Sequence, residues 1–312
     1  MRAVIVTLLA AGCGGSAGSG GDAFPPGDGA DPIIDALPAC PPGQWCVEDS
    51  PIAGTLLHDV WAVDPGTVFV VGDAGTILVR RANAWQALAS ETTANLRGVW
   101  AASASDAWAV GEAGTVLRFD GQTWRAVDPG VAIDLHAVWG AGADDVWIAG
   151  PSTVLHYDGA GFTPTSLPGT LYAVSGTGGS DVWVTGENAR VDHFTGSWTT
   201  LDPGVGTTYL GLGAFGPTDV WVTTFTPGKE TLRFDGAAWT PVPATGAIFQ
   251  DVHRTTRSLW AAGGSKVGRF DGATWTLETP GTASDQLWAV HGSGPFLWVV
   301  GSNARILLRD DT

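Results

Sequence analysis

The chain has 312 residues, 45 glycines and a formal net charge of −16, although only 15% of its residues are charged. An excess of 31 acidic over 15 basic residues argues against nucleic-acid binding, and a hydrophobic content of 44% argues against a largely disordered chain. The abundance of glycine and proline disfavours a helical protein, and three cysteines are too few for a disulfide-rich miniature fold.

The first thirteen residues have the pattern of an export signal. Arg2 precedes an apolar segment, 3–12, that is too short to cross a bilayer as a helix but is typical of a signal peptide. The segment ends in Leu-Ala-Ala-Gly-Cys, which resembles the lipobox of bacterial lipoproteins. We therefore predict a signal peptide over 1–12 and lipidation of Cys13. The alternative is an ordinary signal peptide with an incidental cysteine.

Residues 13–39 are predicted to be a lipidated cysteine followed by a flexible tether. The segment consists mainly of Gly, Ser, Ala, Pro and Asp, and such a composition buries too little apolar surface to offset chain entropy. We expect the protein to be exported and held on the cell envelope by its lipid. Gly14, rather than an aspartate, follows Cys13 and favours the outer membrane.

The remaining chain, 40–312, repeats with a period of about 39 residues. Each repeat contains four short strand patterns, and an Asp-Gly turn such as Asp120-Gly121 precedes the fourth. Four antiparallel strands in about 40 residues are typical of a propeller blade. The sequence therefore predicts an all-β, seven-bladed β-propeller of four-stranded blades. The seven repeats begin 36 to 39 residues apart, at Leu57, Leu96, Leu135, Leu171, Leu210, Phe249 and Leu287.

The last repeat ends at Thr312 without a fourth strand, whereas a matching strand pattern surrounds Trp45. We therefore expect the segment around Trp45 to complete the last blade beside 306–309, because an incomplete ring would leave open sheet edges. Cys40 and Cys46 flank this strand in an exported chain, which predicts a disulfide between them, with two free thiols as the alternative.

Fifteen of the 16 tryptophans recur at three positions of the repeat, and packing within and between blades is their predicted role. At the first position, the tryptophans of the early repeats give way to Ser175, Ala214, His253 and His291. An aspartate two residues before the second tryptophan is interpreted as a turn residue that binds local backbone N–H groups. It recurs as Asp106, Asp145, Asp181 and Asp219.

Two motifs carry a family resemblance over about 41–312. The first is VGxxGTxL, at 71–78 and 110–117, and the second is FDGxxW, at 119–124, 234–239 and 270–275. They resemble the propellers of the BNR/Asp-box-like group, photosystem II assembly factors and bacterial lipoprotein propellers. Tectonin repeats, which include glycan-binding lectins, are a weaker match. The resemblance implies a propeller that binds or assembles other molecules.

Catalytic motifs are missing from the sequence. No HExxH, GxSxG, phosphate-binding loop or CxxC occurs, and the three tyrosines show no pairing with glutamate typical of a sialidase. The six histidines are spread over different repeats, so we predict no metal and no cofactor. The expectation is a protein that is not an enzyme, with a glycoside hydrolase as the one enzyme class considered.

One position varies among the repeats where the others are uniform. It follows each repeat's first residue and reads His58, Arg97, His136, Tyr172, Gly211, Gln250 and Trp288. The first strand of a propeller blade lines the central channel, so these polar and aromatic residues are predicted to form a ligand-binding ring at its mouth. The alternative is that they are channel residues wetted by solvent, without a ligand.

These patterns lead to a functional expectation. We expect a monomeric, non-catalytic binding or assembly scaffold, anchored in the membrane by its lipid. Its partner would be a protein or a glycan, with a lectin-like carbohydrate binder as the alternative function. The acidic loops between blades favour a cationic or protein partner.

Overall fold

The computed structural model describes residues 40–205, 208–244 and 246–312. Cys13, the predicted signal peptide and the predicted tether lie outside the described residues. In the described part of the chain the regular structure consists of β-strands and three single turns of 3-10 helix, which confirms the all-β prediction. No helix in this part of the chain is long and apolar enough to cross a bilayer.

The strands form antiparallel sheets in chain order around the axis, and the first described strand, β1 (Trp45–Val47), belongs to the last sheet. The first complete sheet contains β2 (Leu57–Asp64), β3 (Thr67–Gly72), β4 (Ile77–Arg81) and β5 (Ala84–Leu88). The second contains β6 (Leu96–Ser103), β7 (Asp106–Gly111), β8 (Val116–Phe119) and β9 (Trp124–Ala126).

The third sheet has six strands: β10 (Ala137–Gly142), β11 (Asp145–Tyr157), β12 (Phe162–Gly178), β13 (Asp181–Gly186), β14 (Val191–Phe194) and β15 (Trp198–Leu201). The fourth contains β16 (Tyr209–Ala214), β17 (Val220–Thr224), β18 (Thr231–Phe234) and β19 (Trp239–Pro241). The fifth contains β20 (Asp251–Arg254), β21 (Leu259–Gly263), β22 (Lys266–Phe270) and β23 (Trp275–Glu278). The sixth contains β24 (Leu287–Ser293), β25 (Phe296–Gly301), β26 (Ile306–Asp310) and β1.

The prediction of seven separate blades is wrong. Counted by its hydrogen-bonded sheets, the described propeller has six blades, because the third and fourth repeats share the six-stranded sheet. The first part of β12 pairs with β11 through 162–166, and its last part pairs with β13 from Leu171 onward. This repeat is the shortest, with 36 residues between Leu135 and Leu171. The chain therefore passes from one repeat into the next as a continuous strand, without an intervening loop.

The second strand of each repeat is covered on both faces, which explains its unbroken apolar sequence. In β7, for example, Trp108 and Val110 lie on one face of the strand, and Ala107 and Ala109 lie on the other. All four residues are fully buried. The buried residues separate into clusters that each combine side chains of neighbouring repeats, such as Trp100 and Val110 with Leu135 and Ile148. Packing between the sheets therefore stabilises the ring.

The contacts of the recurring aspartates differ from those predicted for turn residues. Asp145 and Asp181 each accept a hydrogen bond from the indole Nε1 of the tryptophan two residues later, at 2.9 Å, and so does Asp219. Each also faces a histidine or arginine farther along the chain, as where the His193 ring stacks on Trp183 and donates to Asp181 at 2.6 Å. The aspartate thus holds a tryptophan and a cationic or aromatic neighbour in place.

The N-terminal strand closes the last sheet. β1 pairs antiparallel with β26 in the register Trp45 opposite Arg309, which agrees with the prediction from the sequence. The predicted disulfide between Cys40 and Cys46 is present. Two glutamates fix β1 to its neighbours: Glu278 accepts from the Trp45 indole at 2.6 Å, and Glu48 accepts from the Trp85 indole at 2.6 Å.

The fifth repeat is shifted by one residue from its predicted start. Gly213 lies opposite Trp221, as Trp61 lies opposite Phe69 in the first repeat, so the repeat begins at Tyr209 rather than Leu210. Tyr209 is fully buried and its hydroxyl donates to the carbonyl of Val205, which allows a tyrosine at a position that elsewhere holds Leu or Phe.

Candidate ligand-binding site

The first strands of the repeats surround a cavity of about 510 Å³ on the propeller axis. All six predicted binding residues line this cavity: His58, Arg97, His136, Tyr172, Gln250 and Trp288. Gly211 also lines it, although the corrected register assigns the equivalent position to Leu210. Positions about 39 residues apart along the chain are therefore brought to one place.

A register shift at the start of the inner strand accompanies four of these residues. In the first repeat, Leu57 pairs with Gly72 and Asp59 pairs with Val71, so His58 is the extra residue. Arg97, Tyr172 and Trp288 occupy the same place in β6, β12 and β24. A bulge of this kind leaves one residue outside the ladder and redirects its side chain, which here lines the axial cavity.

Three of the mouth residues are paired with carboxylates. The His58 ring Nε2 lies 2.7 Å from an Asp73 carboxylate oxygen, and the Tyr172 hydroxyl donates to Glu187 at 3.2 Å. Arg97 forms an ion pair with Glu112.

The sequence interpretation missed these three acids. Each follows the glycine that ends a second strand, and Leu57 opposite Gly72 shows that this strand ends where the inner strand begins. An acidic residue directly after this glycine was the available signal.

The acidic partners alter the titration of the mouth. Burial raises the pKa of Tyr172, and the negative charge of Glu187 raises it further. Hydrogen bonds from Thr170 lower the pKa of Glu187, which stays ionised at neutral pH. His136 stacks on Tyr172 with ring centroids 5.3 Å apart, and its Nδ1 lies 2.8 Å from the Leu171 carbonyl. The mouth is thus a set of oriented polar and aromatic groups with an excess of carboxylates.

The same cavity is lined by two aspartates that sequence reasoning also missed. Asp59 and Asp251 occupy the second position after the start of the first and sixth repeats, next to His58 and Gln250. Each carboxylate joins two repeats, because it accepts one N–H of its own strand and one of the following repeat. Asp59 binds Val60 and Val99, both at 2.8 Å.

A series of aromatic and histidine rings lies farther along the inner strands. Trp61 contacts Trp100 and His291 with centroids 6.2 and 4.0 Å apart, and His291 contacts His253 at 3.9 Å. Burial lowers the pKa of His253 to about 4 and also lowers that of His291, so both rings are neutral at pH 7.

Phe215 continues this series of rings, with its centroid 6.4 Å from that of His253. It is near the axis because Gly213 leaves room for its ring: a Cβ on Gly213 would lie 2.4 Å from the Phe215 Cζ. In the described part of the chain, no group of three His, Cys, Asp or Glu side chains is placed to hold a metal ion.

Known proteins match this chain through their structures. The sequence matches no protein-family model, and no curated protein is significantly similar to it. A catalytically inactive virginiamycin B lyase from Staphylococcus aureus with quinupristin has a TM-score of 0.75 and 14% identity, over 85% of this chain and 98% of the lyase. YCF48 bound to D1 peptide has a TM-score of 0.71 and 16% identity, over 88% and 99%.

A WD40 propeller domain of Doa1 is also similar, with a TM-score of 0.71 and 10% identity, over 84% of this chain and 94% of that domain. At these identities the likeness shows the fold alone, which is a β-propeller. The expectation, drawn from missing catalytic motifs, that the chain is not an enzyme is wrong, because a lyase is among the similar structures. The choice of glycoside hydrolase as the one enzyme class considered was too narrow, since the propeller fold is not specific to one chemistry.

Proposed function

We propose that the chain is a lipid-anchored propeller of the cell envelope that binds a protein partner at the mouth of its axial cavity. The observation that carries the proposal is the convergence of six different polar and aromatic side chains on one cavity. Positions of the scaffold keep the same residue types for packing, whereas a position that varies among the repeats and faces one cavity is typical of a binding site.

The charge of the mouth favours a partner with basic residues. Asp73, Glu112 and Glu187 lie there with one arginine, Arg97, and the whole chain carries a net charge of −16. Such a surface attracts cationic groups and repels anionic ones. That YCF48, which has the same fold, is bound to a peptide supports a polypeptide ligand.

The envelope location depends on Cys13. Lipid chains on this cysteine would hold the propeller at a membrane surface, with 14–39 as the tether. Labelling with radioactive palmitate tests the anchor: we expect incorporation that the Cys13→Ser variant abolishes, and incorporation retained in that variant would contradict it.

The binding function is tested with two matched double variants. Arg97→Ala/Gln250→Ala removes two mouth side chains, and Arg125→Ala/Gln86→Ala removes the same residue types from exposed outer strands. We expect chemical cross-linking on intact cells to capture the same envelope protein with the wild type and the outer variant, and at least tenfold less with the mouth variant.

Equal capture by all three chains would reject the site. Saturable binding of one sugar on a glycan array, lost in the mouth variant only, would replace the protein partner with a glycan and favour the lectin alternative.

A further inference from the structure

We propose that the axial cavity binds an alkylammonium group, with its charge beside Asp59 and Asp251 and its apolar stem along the cavity wall. This inference names the ligand chemistry of the site described above and rests on the proposed function for the relevance of that site. It is carried by the two carboxylates, by the side chains around them and by the size of the cavity.

The two aspartates have unused acceptor capacity. Asp251 accepts from the backbone N–H groups of Val252 at 2.7 Å and Val290 at 2.9 Å, which repeats the arrangement of Asp59. An ionised carboxylate has about four acceptor positions, so each of the two retains about half of its capacity. Across 40–205, 208–244 and 246–312, no Lys, Arg or His forms an ion pair with either group.

Asp59 and Asp251 are half-buried, whereas the fully buried carboxylates of the described chain have compensating partners. Asp192 and Asp285, exposed by 0% and 3%, face Arg190 and Arg305. Glu230 instead accepts N–H groups of Gly228, Ala244 and Gly246, and these bonds lower its pKa although burial opposes them. Enclosed charges are normally compensated in one of these two ways. Asp59 and Asp251 each accept two backbone N–H groups, without the arginine of the first pair or the third N–H group that Glu230 accepts. Both aspartates line a cavity.

The pKa values of the two aspartates reflect their small number of compensating partners. Burial raises the pKa of Asp251 to about 7. Burial also raises the pKa of Asp59, and repulsion from Asp251 adds to the increase. A cation placed between them would favour the ionised forms, so binding should release a proton near neutral pH.

The remaining titratable groups of the cavity do not supply that cation. They are His58, Arg97, His136, Tyr172, His253 and His291. Arg97 is paired with Glu112, and His253 and His291 are held neutral by burial. The two carboxyl groups of the wall are therefore available to a cationic ligand.

The wall also suits the rest of an alkylammonium ion. Trp61, Trp139 and Phe215 line the cavity with aromatic rings, whose faces attract cations, and valines such as Val60 and Val290 supply apolar surface. A volume of about 510 Å³ lies within the range of small-ligand sites. A lysine side chain of a partner and a free aliphatic amine share this chemistry.

The test is calorimetric titration of the full chain with hexylammonium chloride, hexanol and sodium hexanoate. We expect hexylammonium to bind saturably, at least tenfold more tightly than the neutral and anionic analogues. Asp59→Asn/Asp251→Asn should lower its affinity at least tenfold. Asp49→Asn/Asp202→Asn, which changes the net charge equally at exposed sites, should leave the affinity unchanged.

The pH dependence of binding gives a second readout, which uses only the wild type and so does not depend on whether a variant folds. Hexylammonium stays charged between pH 6 and 8 because primary amines titrate near pH 10. Its affinity for the wild type should rise across this range as Asp251 ionises, with proton release that differs in heat between buffers. Equal affinity for hexanol, or affinity independent of pH, would overturn the proposal, as would binding of Ca²⁺ in place of the amine.

Two peptides distinguish the source of the ammonium group. A short peptide with a central lysine that binds more tightly than hexylammonium, while its norleucine analogue does not, assigns the site to a partner's side chain. The reverse order assigns it to a free amine. Because the partner test uses Arg97 and Gln250, its failure leaves the amine titration intact, and the amine can fail while partner capture persists.

Discussion

At the scale of single residues, the same sequence position takes different partners in different repeats. Trp108 and Trp183 are equivalent, and both are fully buried. The indole of Trp183 donates to Asp181, whereas both oxygens of Asp106 are taken by Arg118. The Trp108 Nε1 has no hydrogen-bond partner within the described chain.

This difference predicts unequal costs of the same substitution. Trp183→Phe loses a hydrogen bond to a carboxylate, worth about 1.5–3 kcal/mol, whereas Trp108→Phe removes an unsatisfied donor. We expect Trp183→Phe to lower the free energy of unfolding by about 1.5–3 kcal/mol more than Trp108→Phe in urea titrations. Equal losses would mean that packing alone decides both positions.

At the scale of elements, the closing strand β1 is short but tied on both sides. It pairs with β26, its Trp45 indole contacts the Trp260 ring at 6.0 Å, and the neighbouring Glu48 accepts from both Arg80 and Trp85. Without β1, the edge of β26 would present unpaired N–H and C=O groups, which favour self-association.

Deleting 40–47 should therefore both weaken the ring and make it associate. We expect a loss of at least about 3 kcal/mol in unfolding free energy, comparable to the removal of a large buried side chain, together with oligomers in light scattering. Deleting 20–35, which spares β1 and the disulfide, is the control and should remain as stable as the wild type. A stable, monomeric chain without 40–47 would show that β1 is dispensable.

At the scale of the whole molecule, closure of the ring brings distant repeats together, while the net charge opposes compaction. The chain has 31 acidic and 15 basic residues and a pI of about 4.5. At pH 7 many of its surface carboxylates repel one another over distances comparable to the Debye length.

Salt should therefore stabilise the protein at neutral pH. Between 0.01 and 0.15 M ionic strength the Debye length falls from about 30 to about 8 Å, which screens the repulsion. We expect Tm to rise with NaCl at pH 7 and to change much less at pH 4.5, where the net charge is near zero. A fall in Tm with NaCl at pH 7 would show that attractive ion pairs dominate.

The sequence by itself determined the repeat, the all-β class, the closing strand, the disulfide pair and the six residues of the cavity mouth. These depend on local patterns that recur at a fixed period, so each can be recognised from one repeat and transferred to the next. The predicted start of the fifth repeat was wrong by one residue because Tyr209, a polar aromatic residue, replaces the usual leucine there. The burial of Tyr209 requires a hydrogen bond from its hydroxyl to the Val205 carbonyl.

The tertiary structure decided the features that depend on contacts between strands. The merging of two repeats into one sheet follows from a shortened connection that lets β12 continue across both. The acids paired with the mouth and the bulges that redirect its side chains depend on the pairing of the first two strands of a repeat, and the position of Asp59 and Asp251 in one cavity depends on closing the ring. A sequence period states which residues are equivalent, whereas only the folded ring decides which of them face one another.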